Sequence, residues 1–143
     1  MSEPDLLRRK RATEATLAKY RPLAFDWKKG VTCVHMARFH LLKMGHKVET
    51  LPRMRGPIGA KRALAERGWS DVAAMLDAQP GLTRIAPAMM LVGDLAVFPG
   101  DEGFDLITVC AGRHKLLGWH QDYWKGLIEV EAPLDMAIGA WRT

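Results

Sequence analysis

Residues 27–45 read Trp27-Lys-Lys-Gly-Val-Thr-Cys33-Val-His-Met-Ala-Arg-Phe-His-Leu-Leu-Lys-Met44-Gly45, and this stretch decides the fold. Cys33, Met36, Ala37, His40, Leu41 and Met44 recur at the spacing of one helical face. Thr32 is a suitable N-cap and Gly45 a suitable stop, so the spacing predicts a helix that begins at Cys33. A thiol in a first turn sits among free backbone N–H groups at the positive end of the helix dipole. That position is expected to lower its pKa and sharpen it as a nucleophile. The bland alternative is a cysteine that simply packs on an apolar face, as cysteines commonly do. His35 projects from a different side of the helix. His40 shares the Cys33 face but lies about 10 Å along the axis, and reads as a hydrogen-bonded core or boundary histidine.

Upstream, residues 4–19 predict a first helix, with Pro4 and Asp5 suited to its start and Pro22 beyond its end. Arg8-Arg-Lys-Arg11 then reads as a solvated helical face. Downstream, Ile58 to Arg67 predicts a short helix ending at Gly68, and Ser70 is the expected cap of another that carries Val72, Met75 and Leu76. After Gln79-Pro-Gly81 the pattern changes. Leu95–Phe98, Asp105–Ala111, Lys115–Trp119 and Leu127–Val130 are short β-prone runs, with Pro99–Gly103 and Gly112-Arg113 as turns between them. Helices first and strands afterwards predict an α+β domain with an antiparallel sheet. The chain reads as a single domain over 1–143, an N-terminal helix (1–20) joined to an α+β body (21–143). Gly93-Asp94 suits a tight strand start in which Asp94 bonds nearby backbone N–H groups.

The composition, 48% hydrophobic and 26% charged over 143 residues, is that of a folded domain. No apolar run reaches the roughly 20 residues of a membrane span, and residues 1–20 lack the pattern of a signal peptide. Cys33 and Cys110 are too few for a disulfide framework, and Cys110, between Val109 and Ala111, reads as a packing residue. The five histidines form no dense ligand motif, so neither a metal nor a cofactor is called for. Charge is uneven. Residues 1–70 hold 16 Lys/Arg and 6 Asp/Glu, whereas residues 71–143 hold 5 and 10. Such asymmetry can steer docking between subunits or serve an anionic polymer. Nucleic-acid binding through Arg8–Arg11 lacks a supporting motif and is disfavoured.

Taken in order, several segments resemble the NlpC-like branch of the papain fold, and within it a small phage- and prophage-encoded group found among tail genes. Phe25-Asp-Trp27 with the Cys33 helix looks like the family's W-G-x-x-D-C opening. Gly93-Asp-Leu-Ala-Val-Phe98 looks like its Gly-Asp-hydrophobic first strand. Ile107–Gly112, Gly126–Val130 and Ala140-Trp-Arg142 look like its later elements. The resemblance implies a papain-like fold with Cys33 as nucleophile. It also implies a histidine near the start of Asp105–Cys110, to take the thiol proton, and a polar residue that orients it. Here the pattern departs: Asp105 or Leu106 stands at that position, and Thr32 replaces the usual Asp before the nucleophile. His114 and His120 are the remaining candidates for a displaced base.

The preferred expectation is a structural or assembly component of a phage-like tail, at the distal end or hub, on a catalytically degenerate NlpC-like fold. It would be made in the host cytoplasm and carried in the virion. Its partners would be other tail or hub proteins or further copies of itself, and Trp119, Tyr123 and Trp124 are the interface candidates. The alternative is an active cysteine endopeptidase cleaving peptidoglycan stem peptides during phage entry.

Overall fold

The computed structural model describes residues 3–100, 103–113, 115–120 and 123–143. Four helices come first: α1 (Asp5–Tyr20), α2 (Cys33–Lys43), α3 (Pro57–Glu66) and α4 (Val72–Asp77). Six strands follow: β1 (Thr83–Ile85), β2 (Leu95–Phe98), β3 (Leu106–Gly112), β4 (Lys115–His120), β5 (Tyr123–Val130) and β6 (Gly139–Arg142). They form one sheet in the order β1-β6-β2-β3-β4-β5, antiparallel at every pairing. The fold is therefore α+β, with N-terminal helices followed by an antiparallel sheet. No helix among the described residues is long and apolar enough to cross a membrane.

Side-chain alternation along the strands divides the sheet into two faces. Leu95, Val97, Ile107, Val109, Leu117 and Trp141 turn toward the helices and share the main core with Cys33, Met36, Ala37 and Leu41 of α2. Each large aliphatic side chain buried there contributes about 1.5–3 kcal/mol. The alternate positions Ala96, Phe98, Cys110, Leu116 and Ala140 form a smaller cluster on the other face. Met90, Ala132 and Ala137 pack on that cluster, beside short 3-10 turns at Pro87–Met89 and Leu134–Met136.

The predicted helices and central strands are present, with differences that have local causes. The cap of α4 is Asp71, not Ser70: its Oδ1 accepts the Ala74 N–H at 2.8 Å. β5 begins at Tyr123 rather than Leu127 because His120 pairs with Tyr123 across the hairpin. β1 exists only through its pairing with β6, where Thr83, Arg84 and Ile85 face Arg142, Trp141 and Ala140. The segment 21–25 lies along the outer edge of β5. There the Phe25 N–H donates to Trp124 O at 2.9 Å, and a Cβ on Gly126 would come within 2.0 Å of Arg21 O.

Candidate functional site

The loop before α2 is folded by Asp26. Its Oδ1 accepts the N–H groups of Lys28 and Lys29 at 2.9 and 3.3 Å, and its backbone pairs with Val31. Thr32 then caps the helix by accepting the His35 N–H, and its hydroxyl lies 2.8 Å from His35 Nδ1. His35 is thus folded back onto the cap.

Cys33 is 2% exposed, and its thiol donates weakly to Asp105 O at 3.9 Å. Burial pushes its pKa up to about 11. Backbone N–H groups of Ile107, Cys33 and Val34 oppose that shift, while the Asp105 carboxylate adds to it. The expectation of an acidified helix-start thiol is corrected here. Desolvation outweighs the helix-end N–H groups, and the residue facing Cys33 just before β3 is Asp105, whose carboxylate adds to the shift.

Cys33 borders a groove of about 680 Å³. Phe25, Trp27, Phe104, Trp119 and Trp124 line it, with Asp105, His120 and Glu131 as its ionisable groups. The aromatic residues brace one another edge to face: Trp27 on Phe25 and Phe104, and Trp119 on Phe25 and Tyr20. Trp27 belongs to the Phe25-Asp-Trp27 segment already noted before the Cys33 helix, whereas Phe104 was not singled out in the sequence, because its ring partner Trp27 is distant in the chain. His120, at the end of β4, shares this groove with Cys33. His114 lies outside the described residues.

The three interface candidates separate. Trp119 is a core residue, 7% exposed, with its indole N–H donating to Leu23 O at 2.9 Å, so burial removes it from any interface. Tyr123 and Trp124 are 51% and 54% exposed and stand on the surface.

A buried polar centre lies at the other end of α2. Asp94 is fully buried and receives four donors at 3.1 Å or less, one from its own turn and three from distant segments. Arg9 Nη1 and the Thr143 N–H reach Oδ1 at 2.7 and 3.1 Å; Arg142 Nε and the Leu91 N–H reach Oδ2, each at 2.8 Å. Its expected bonds to backbone N–H groups are present, and two guanidinium groups join them. His40, also buried, sits 2.7 Å from Gly93 O and 2.9 Å from Thr16 Oγ1. Because a carbonyl only accepts, Nε2 carries the hydrogen. Burial lowers the pKa of His40 to about 4, so the ring is neutral near pH 7 and Nδ1 accepts from Thr16. His40 is a structural residue.

The same centre corrects the reading of Arg8–Arg11 as a solvated face. Arg9 is 3% exposed and lies with Ala12, Thr13, Thr16 and Tyr20 on the buried side of α1. Arg8 is paired with Asp5 and Arg11 with Glu3, at 2.6 and 2.7 Å. The run is therefore not a free cationic patch.

The chain belongs to a family described as a domain of unknown function (DUF6950), which matches residues 6–143. Among curated proteins, none matches the chain.

Proposed function

We propose that the chain is a non-catalytic assembly component of a phage-type tail, built on a papain-like NlpC-type scaffold. The observation that carries the non-catalytic half is the state of Cys33: buried, held neutral, and facing the Asp105 segment where a peptidase would need a histidine. A thiol with a pKa of about 11 supplies about one thiolate in 10,000 at pH 7. The tail half rests on the sequence resemblance. The half-exposed Tyr123 and Trp124, of which Trp124 lines the groove, are compatible with it, being aromatic residues of the kind that anchor protein–protein contacts.

The test compares the folded protein with Cys33→Ala on peptidoglycan fragments, read by mass spectrometry. The expected result is intact stem peptides with both. Cleavage that disappears in the variant would overturn the non-catalytic reading. Alkylation gives an independent check: Cys33 should react with iodoacetamide at least about 100-fold more slowly in the native than in the unfolded state, from its raised pKa alone.

A second reading, an active thiol hydrolase, is favoured by one observation: His120 lines the same groove as Cys33. In that case His120→Ala would abolish any cleavage together with Cys33→Ala.

A further inference from the structure

A second cavity, of about 350 Å³, lies between α2, the segment 47–52 and α4. Its walls are mainly apolar, supplied by Val34, Leu41, Leu51, Trp69 and Met75. Three cations, Arg38, Lys47 and Arg67, border it together with a single carboxylate, that of Glu49. Arg38 and Arg67 spend one N–H each on backbone carbonyls, Glu49 O at 2.8 Å and Ala63 O at 3.1 Å. Among the described residues none of the three is ion-paired, in contrast to Arg8, Arg9, Arg11, Arg84 and Arg142 elsewhere in the chain. Burial lowers the pKa of His35 and raises that of Tyr20; the charge of Arg38 adds to the first shift and opposes the second.

Three cations bordering one apolar hollow, with no ion-pair partner among the described residues, suit a ligand with two parts. A bare inorganic anion would leave the Trp69 and Leu51 walls without a partner. A neutral apolar molecule would bring nothing to the guanidinium and ammonium groups. Glu49 leaves an excess of two positive charges at the site, which suits a singly charged head rather than a polyanion. We propose that this cavity binds a small apolar monoanion: a carboxylate held by Arg38, Lys47 and Arg67, on an aliphatic or aromatic tail that enters between α2 and α4. The site is separate from the Cys33 groove, with which it shares no lining residue. The inference is independent of the tail assignment.

The experiment uses three probes with the same tail: octanoate, octanol and octyltrimethylammonium. Each is titrated into the full chain by calorimetry and by tryptophan fluorescence at low salt. Octanoate should bind saturably at one site, at least about fivefold more tightly than the other two. The double variant Lys47→Ala/Arg67→Ala changes two exposed side chains and should keep its melting temperature. It should lose about fivefold or more in octanoate affinity while binding octanol unchanged. Trp69→Phe should remove most of the fluorescence response and leave the calorimetric signal. No saturable octanoate binding, equal affinity for all three probes, or undiminished affinity in the double variant would each overturn the proposal.

Discussion

Replacing Asp94 by Ala tests the account of the buried polar centre most directly. The substitution removes the acceptor for Arg9 and Arg142 and for the N–H groups of Leu91 and Thr143. Arg142 is one-third exposed and can turn to water, but Arg9 is only 4% exposed in its side chain and cannot. Arg9 keeps Asp5, through Nε at 2.7 Å, and a longer contact to Val92 O. The loss is therefore that of one partner of a buried pair, about 3–5 kcal/mol. A chain of this length unfolds with an entropy of about 0.3 kcal/mol/K, so its melting temperature should fall by about 10–17 °C. Urea unfolding followed by circular dichroism supplies the free energy, and calorimetry the temperature. Arg9→Met added to Asp94→Ala should recover about 1–2 kcal/mol, since it removes the stranded charge while keeping the stem volume. A loss below about 1 kcal/mol for Asp94→Ala would refute the reasoning, because the Arg9 guanidinium would then have been resolvated at no cost. So would a further loss on adding Arg9→Met.

Three other outcomes follow from the same geometry. His40 has a folded pKa of about 4 against 6.5 unfolded, so the unfolded chain binds the proton first as pH falls. Its contribution of about 3 kcal/mol should be present above pH 6.5 and lost progressively toward pH 4, and His40→Gln should flatten that part of the stability–pH curve. Gly126→Ala places a Cβ 2.0 Å from Arg21 O and must push the 21–25 segment off β5. It should cost about 1–3 kcal/mol and raise hydrogen exchange at the Phe25 amide. Trp124→Ala should leave the stability of the monomer within about 0.5 kcal/mol while weakening any self-association seen by sedimentation velocity, and unchanged association would remove Trp124 from the interface.

The α2 helix was legible because its face, cap and stop are all local: the stripe from Cys33 to Met44 is buried, Thr32 accepts the His35 N–H, and Gly45 takes φ 96°. What escaped the sequence depended on partners far along the chain. Cys33 occupies a position that is ordinarily wet and reactive, and its burial is imposed by Asp105, 72 residues away, and by the aromatic residues around it. Arg9 was hidden inside a run of four cations. The clue was the small polar stripe of Ala12, Thr13 and Thr16 on the same helical side, which allows close packing against α2 and leaves room for a buried side chain. β1 is only three residues long, too short for a periodicity signal, and its pairing with β6 was correspondingly unreadable. The papain-like assignment drew on order and spacing across segments; what the structure shows is the coarser class, helices followed by an antiparallel sheet.

The contacts around Asp94 also set an order of events during synthesis. Arg9 and Thr143, which meet side chain to side chain, are separated by 134 positions. Closing a loop of that length costs more than any local step and is deferred until the intervening structure exists. Until the residues after 138 have left the ribosome, Asp94 lacks Arg142 and the Thr143 amide, β2 lacks its β6 neighbour, and residues 83–85 have no strand to pair with. α1 and α2 can form early, but they dock on an incomplete carboxylate site. The polar centre and the sheet are thus completed in the same step: before β6 is in place the carboxylate is underpaired and β2 has an open edge.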